Sequence, residues 1–153
     1  MKKKKFNHIK QKKVWDCCIA SIAMLAGVSY KKANDAYMKV MKKPQHDGLS
    51  NSSILKILKK LKISGAVVEA VVLNVPGILC LPSLNDEGSF HAVYFDGRYI
   101  YDPNYQIPGK KYYKKELPKK FPLGTELIVN MNDPLTNNVM KKVGDIKIQI
   151  GVE

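Results

Sequence analysis

The sequence predicts an α+β fold with helices in the first half of the chain and an antiparallel sheet in the second. Apolar residues recur at helical spacing up to about residue 62. The sequence then breaks into short runs rich in valine, isoleucine and tyrosine, bounded by Gly, Pro, Asn or Asp. At 153 residues and 45% hydrophobic content the chain is long enough to bury one core. We expect a single domain over residues 1–153, with a basic N-terminal segment (1–10), a C-terminal extension or edge strand (131–153), and helices packed on the sheet.

Three helices are predicted in order. Asp16 is a candidate N-cap for "CCIASIAMLAG", and Gly27 suits the left-handed residue that ends it. Ser29 is a candidate cap for "YKKANDAYMKVMKK", which Pro44 and the following "HDG" end. The third helix, "ILKILKKLK", has an amphipathic pattern. Because the first helix is apolar on nearly all sides, we expect it at the centre of the fold.

Five segments are predicted to be strands: "AVVEAVVL", "GILCLP", "SFHAVYF", "RYIYD" and "TELIVNM", with "GDIKIQIGVE" a candidate edge strand. Asp96-Gly97 favours a two-residue hairpin turn between the third and fourth of these. Such a turn would place His91 directly opposite Asp102, on one face of the sheet. A carboxylate there would fix the tautomer of the imidazole and leave its other nitrogen available as a base.

The net charge of +13 comes almost entirely from lysine, since Arg98 is the only arginine. The bidentate guanidinium groups that grip phosphates and guanine are therefore nearly absent, and the lysines are spread along the chain. A lysine-rich, well-solvated surface is favoured over a dedicated nucleic-acid site. Contact with an acidic protein or with nucleic acid through these lysines stays open.

The cysteines number three and form no CxxC pair, which favours reduced thiols and a cytoplasmic location. The sequence shows neither a signal peptide nor a run of apolar residues long enough for a membrane span. His8 and His46 lie in polar segments without metal-ligand spacing, so they are expected to be exposed, and we expect no metal and no other cofactor. Cys80 is expected in the core.

Four residues fit together as a reactive site. Cys17, in the first turn of a helix, lies where unpaired N–H groups and the helix dipole lower a thiol pKa. His91, oriented by Asp102, would serve as the base for this nucleophile. Gln11 lies six positions before Cys17, where its amide and the Cys17 backbone N–H would form an oxyanion hole.

The ordered set of Gln11, "DCCIASIAMLAGVSY", "GLS", "ILKILKKLKI", "GILCLP" and "FHAVYFDGRYIYDP" resembles the papain-like cysteine peptidases. It is most similar to the bacterial group that removes double-glycine leader peptides from bacteriocins, over roughly residues 8 to 130. The resemblance implies a papain-like fold and a peptide or protein substrate. It also implies that Cys17 is the nucleophile, His91 the general base and acid, Asp102 the orienting residue and Gln11 the oxyanion donor.

The sequence departs from the family pattern at two positions beside this site. Cys18 replaces the glycine that follows the nucleophile, and Ala92 replaces a bulky residue after the histidine. Both are predicted to shape substrate binding, as is Trp15, which is also a candidate packing anchor. The hairpin between His91 and Asp102 is also shorter than the family leads one to expect.

Other functions are compatible with the same sequence. Free cysteines are often buried, so Cys17 and Cys18 also fit ordinary core positions. Deamidation or acyl transfer would use the same residues as peptide hydrolysis and differ only in the substrate pocket and the final acceptor. A protein of another class, with the same fold but no activity, would instead capture an acidic partner or nucleic acid through its lysines. The sequence predicts no oligomeric state.

Overall fold

A computed structural model describes residues 7–13, 15–44, 48–69, 75–85, 88–106, 125–143 and 149–150. These residues form an α+β fold, as the sequence predicts. The helices are α1 (Cys17–Ala26), α2 (Tyr30–Met41), α3 (Asn51–Lys60) and α4 (Pro134–Val143), and a 3-10 turn spans Pro103–Gln106. The strands are β1 (Gly65–Glu69), β2 (Gly77–Pro82), β3 (Phe90–Phe95), β4 (Ile100–Tyr101), β5 (Glu126–Asn130) and β6 (Gln149–Ile150).

Helix α1 is the central helix, in agreement with the sequence. Its residues from Cys17 to Leu25 are all buried, and it contacts α2, α3, β2, β3 and β5. It ends at Gly27, whose φ of 66° is left-handed and whose N–H, with that of Val28, bonds carbonyls of the last turn. The nucleophile candidate therefore begins a helix whose position is fixed on several sides.

Helices α2 and α3 begin at serine caps. The Ser29 hydroxyl accepts a hydrogen bond from the Lys32 N–H, as predicted. The Ser50 hydroxyl accepts from the Ser53 N–H, so α3 starts earlier than its apolar pattern indicates. Helix α2 ends at Met41, before the predicted boundary at Pro44, because the following residue adopts a left-handed conformation.

The strands form one antiparallel sheet in the order β4-β3-β2-β5-β1-β6. The second half of the predicted "AVVEAVVL" strand, residues 70–73, lies outside the described residues. The predicted C-terminal edge strand is present as β6, which pairs with β1. Strand β3, which begins beside His91, is an inner strand between β2 and β4, and this location fixes its backbone on both sides.

Two apolar clusters lie on opposite faces of the sheet. One joins the faces of α1, α2 and α3 to inward side chains of the sheet that include Ile78, Ala92 and Ile128. The other contains the neighbouring strand residues, such as Leu79 and Val93, together with side chains of α4. Alternate residues of each strand point to opposite faces of the sheet, and apolar residues are buried on both faces. This agrees with the near-continuous apolar runs in the sequence.

Helix α4 was not predicted from the sequence. Its start carries a capping signal, because the Asp133 carboxylate accepts from the Leu135 N–H and the Thr136 hydroxyl, and Pro134 occupies the first helical position. Met140 of α4 is buried in the cluster on the far side of the sheet. In the described part of the chain, no helix is both long and apolar enough to cross a membrane.

The predicted register of the β3–β4 hairpin is wrong. Tyr94 pairs with Tyr101 and Phe95 with Ile100, so the loop contains four residues instead of two. The Asp96 carboxylate accepts hydrogen bonds from the N–H groups of the two residues that precede Ile100, at 2.8 and 2.6 Å. This side chain satisfies the backbone of a wider turn and moves β4 by two positions along β3.

Candidate active site

Cys17 is the first residue of α1 and lies against the start of β3. The His91 imidazole and the Ala92 backbone both lie close enough to the Cys17 thiol to lower its pKa. The side chain is largely buried, with 9% of the residue exposed. The structure therefore brings together the thiol and the imidazole that lie 74 positions apart in the sequence.

His91 is held by Asp102. The Nε2 atom of His91 lies 2.6 Å from Oδ1 of Asp102, and only 2% of the Asp102 side chain is exposed. The contact at Nε2 leaves Nδ1 as the ring nitrogen that does not face Asp102. Asp102 also accepts from the Asn104 N–H at 2.8 Å, which fixes the carboxylate at the start of the 3-10 turn.

The His91–Asp102 contact survives the error in register because the shift is by two residues. Side chains alternate between the faces of a strand with a period of two, so an even shift keeps Asp102 on the face that His91 occupies. The carboxylate becomes a diagonal neighbour of His91 instead of a direct one, which is still within reach of an imidazole. A shift of one residue would have separated them.

The thiol and the imidazole have pKa values shifted in opposite directions. A hydrogen bond from the Cys18 thiol, together with the hydrogen bond and positive charge of His91, lowers the pKa of Cys17 from 9.0 to about 5, against burial. Burial lowers the pKa of His91, but the bonds to Asp102 and Cys17 outweigh it and raise that pKa to about 9. Between these values the pair is a thiolate and an imidazolium.

Cys18 points into the main helical core and is buried. Its hydrogen bond to the neighbouring Cys17 thiolate, followed by burial, raises the pKa of Cys18 well above 9.0, so it remains a protonated donor. Ala92 is also buried, and it pairs across the sheet with Cys80. Cys80 is partly exposed, not fully in the core as predicted.

Asp16 occupies the N-cap position of α1, as the sequence predicts, but its side chain makes no capping hydrogen bond. Its carboxylate turns back along the chain and accepts hydrogen bonds from the N–H groups of Lys12 and Lys13, each at 3.0 Å, and from the Tyr30 hydroxyl at 2.5 Å. Three donors outside the helix therefore take the place of the cap that local sequence rules indicate.

Gln11 is buried at the other end of this turn, not exposed among the lysines that surround it in the sequence. Its Nε2 atom donates to the Lys13 carbonyl at 2.7 Å, and its backbone N–H donates to the Pro103 carbonyl at 2.9 Å. The bond to Lys13 uses one of the two amide hydrogens. Gln11 thus lies between the turn before α1 and the segment that follows Asp102.

His8 belongs to the same surroundings, although it was expected to be exposed. Its Nε2 lies 2.8 Å from the backbone carbonyl of Asp102, and its ring meets that of Tyr101 edge to face at 5.5 Å. No pattern in the sequence indicates this contact, since 94 positions separate the two residues. His46 lies outside the described residues.

Trp15 is partly buried and packs beside Tyr37, with ring centroids 6.5 Å apart. The Lys13 ammonium lies over the same indole at 5.1 Å. These contacts agree with its predicted role as a packing anchor. Among the described residues, no cluster of His, Cys, Asp and Glu is arranged to hold a metal ion.

The arrangement is suited to nucleophilic attack on a carbonyl, since a thiolate, an imidazolium and a buried carboxylate follow one another. Comparison with known proteins agrees with this chemistry. The model of the Peptidase C39 family matches residues 5–133, a range that includes Gln11, Cys17, His91 and Asp102. No curated protein and no solved structure matches the chain. Because the family model covers most of the sequence, the chain belongs to the Peptidase C39 family of bacteriocin-processing cysteine peptidases, and membership implies cysteine peptidase activity.

Proposed function

We propose that this protein cleaves a peptide or amide bond with Cys17 as nucleophile, His91 as general base and acid, and Asp102 as the residue that orients His91. The observation that carries the proposal is the continuous set of contacts from the Cys17 thiol through His91 to the Asp102 carboxylate, in a member of a cysteine peptidase family. A papain-like fold is part of the proposal, supported by the order of helices followed by an antiparallel sheet.

In this mechanism the Cys17 thiolate attacks the carbonyl carbon and forms a C–S bond while negative charge moves to the carbonyl oxygen. The Gln11 amide and the Cys17 N–H donate to this oxyanion. The imidazolium of His91 then gives its proton to the leaving amine as the C–N bond breaks. Water, activated by His91, attacks the acyl-enzyme, releases the acid and restores the thiolate.

The surroundings of the thiolate suggest how substrate meets it. Cys18 and Ala92 are buried, so they would affect substrate binding indirectly, through the positions of Cys17 and β3. Trp15 has a partly exposed indole close in sequence to Cys17 and would offer apolar contact to a peptide. A reducing compartment keeps free thiols reduced, which supports the cytoplasm as the site of action.

The test is hydrolysis of a synthetic double-glycine leader peptide and of a mixed peptide library, with products identified by mass spectrometry. We expect the wild-type protein to produce new termini and the Cys17→Ala variant to lose at least about a thousand-fold in rate, since the nucleophile is gone. Cys80→Ala is the matched control, because it removes another free thiol that is not hydrogen-bonded to His91 in the described structure.

Full hydrolysis by Cys17→Ala would exclude the proposal, as would equal losses in the two cysteine variants when both remain folded. Conversion of glutamine to glutamate, or transfer of the acyl group to an added amine in place of water, would instead assign deamidase or acyltransferase chemistry to the same residues.

A further inference from the structure

A buried carboxylate, that of Asp16, lies directly before the nucleophile, and among the described residues its hydrogen bonds go to Lys12, Lys13 and Tyr30 and not to the residues of the proposed reaction. Asp16 is 1% exposed, and its two oxygens accept from the Lys12 N–H, the Lys13 N–H and the Tyr30 hydroxyl. A buried charge needs such donors to offset its lost hydration. Two of these three donors are backbone N–H groups, so the Asp16 carboxylate fixes the conformation of the backbone that carries them.

The shape that it holds is the turn between Gln11 and Cys17. The N–H of Lys13 bonds Asp16, and the carbonyl of Lys13 accepts from the Gln11 side chain at 2.7 Å. The carbonyl of Asp16 accepts from the Ala20 N–H at 3.2 Å and so belongs to the first turn of α1. One residue therefore joins the segment that presents the Gln11 amide to the helix that presents the thiolate.

Tyr30 ties this unit to the rest of the fold. It is the first residue of α2, and its hydroxyl lies 2.5 Å from the Asp16 carboxylate. Burial and the neighbouring carboxylate raise the pKa of Tyr30, so that the phenol stays protonated as a donor. The Lys12 ammonium lies over its ring at 4.7 Å. The position of the Gln11 turn thus depends on a residue of a second helix.

We propose that Asp16 and Tyr30 are positioning residues that hold the Gln11 amide in line with the oxyanion formed at Cys17, and thereby set the rate of acyl transfer but not the reactivity of the thiolate. The proposal rests on the proposed function, in which Gln11 is an oxyanion donor. Small displacements of such a donor reduce its contribution strongly, because the bond is made only in the transition state.

Two reagents that react with the same thiolate separate these effects. With iodoacetamide, the thiolate displaces iodide from a saturated carbon, and no oxyanion forms. With p-nitrophenyl acetate, the thiolate attacks the carbonyl carbon, an oxyanion forms, and p-nitrophenolate leaves with the electron pair of the broken C–O bond. A change in the stabilisation of the oxyanion therefore affects the rate of acylation alone. A change in the fraction of Cys17 present as thiolate affects the rates of both reactions.

The experiment measures both rates at Cys17 at pH 7, with mass-spectrometric assignment, in the full chain and its variants. We expect Tyr30→Phe and Asp16→Asn to slow acylation about 10-fold or more while alkylation stays within about two-fold. Gln11→Ala should show the same selective loss. Adding Tyr30→Phe to Gln11→Ala should then slow acylation no further, because residues that act through one group are not additive.

Matched controls are Asp35→Asn and Tyr99→Phe. Asp35 is exposed and paired with Lys31 on the surface of α2, and Tyr99 lies in the β3–β4 loop, at the end of β3 opposite to His91. Both variants should leave both rates unchanged. If Asp16→Asn does not fold, as judged by circular dichroism, Tyr30→Phe alone decides, since it removes a single oxygen atom.

Three results would overturn the inference. Tyr30→Phe could slow alkylation and acylation equally, it could slow neither, or its loss of acylation rate could add to that of Gln11→Ala. Failure of the proposed function gives a different result, in which iodoacetamide does not react preferentially with Cys17 in the wild-type protein. A further result is that iodoacetamide alkylates Cys17 selectively but the acylation rate does not depend on Gln11. Cys17 would then remain the proposed nucleophile, and the positioning role of Asp16 and Tyr30 would be rejected.

Discussion

At the scale of single residues, the opposite pKa shifts of Cys17 and His91 define the range of pH in which the site is charged. The thiolate of Cys17 forms above about pH 5, and the imidazolium of His91 persists up to about pH 9. The lowered thiol pKa contributes stability that is lost as pH falls through about 5. The raised imidazole pKa contributes stability that is lost as pH rises through about 9.

The pH dependence of alkylation tests this pair of residues. We expect the rate of Cys17 labelling by iodoacetamide to rise with a midpoint near pH 5 in the wild-type protein. In His91→Ala the midpoint should move up toward the ordinary thiol range, because the positive charge and hydrogen bond are lost. Labelling at pH 6 should then fall on the order of 100-fold.

Cys18 and Cys80 serve as internal references in the same measurement. Contact with the Cys17 thiolate and burial raise the pKa of Cys18, and burial raises that of Cys80, so both should label only at higher pH. An unchanged midpoint for Cys17 in a folded His91→Ala variant would contradict the ion pair.

The residues of the site differ in how far sequence reveals them. Cys17 and His91 could be predicted because a cysteine in the first helical turn and a histidine opposite a carboxylate have a local signal. The hydrogen bonds of Asp16 could not, since an aspartate before a helix ordinarily caps it with its side chain. Its actual partner, Tyr30, is 14 positions away on another helix, and only the packing of α1 on α2 brings it close.

At the scale of elements, the β3–β4 hairpin shows which feature of a sheet is robust to error. Asp96-Gly97 indicates a two-residue turn, but the Asp96 carboxylate stabilises a four-residue loop by bonds to the following N–H groups. The side-chain face of Asp102 is the same in either register. The contact between His91 and Asp102 could therefore be predicted although the turn could not, because this contact depends on the face and turn geometry depends on a competing side-chain bond.

Gly77 lies on β2, the strand between β3 and β5, where a side chain would have no room against β5. A Cβ at this position would lie 2.4 Å from Cδ1 of Leu127 and 2.7 Å from the Ile128 carbonyl oxygen. The carbonyl belongs to a sheet backbone that cannot move aside readily. We expect Gly77→Ala to lower the free energy of unfolding by about 1–3 kcal/mol, measured by urea denaturation.

Gly65→Ala is the matched control on strand β1. A Cβ there would meet the ends of the Leu55 and Leu58 side chains at 2.8 and 3.0 Å, with no backbone atom closer than 3.7 Å. Leucine ends can adjust, so its loss should be smaller, below about 1 kcal/mol. A loss in Gly65→Ala equal to or larger than that in Gly77→Ala would show that the backbone contact is not what limits the sheet.

At the scale of the whole molecule, the net charge of +13 affects the stability of the folded state. It results from 26 basic and 13 acidic residues, so the acidic residues can balance only half of the positive charges. Like charges on one compact surface repel, and this repulsion is relieved when the chain expands. Contact with an acidic protein or nucleic acid through these lysines stays a prediction. The repulsion itself has a measurable consequence for stability.

We expect the melting temperature to rise by a few degrees between roughly 10 and 150 mM NaCl, because the screening length shortens from about 30 to 8 Å. Differential scanning calorimetry at pH 7 measures this, within the range where the Cys17–His91 pair keeps its charges. The matched variant replaces Lys32 and Lys56, both exposed on helices, with glutamate and so lowers the net charge by four. Its melting temperature should depend less steeply on salt. An equal or steeper dependence in the variant would mean that specific ion pairs, rather than net repulsion, govern the response of the fold to salt.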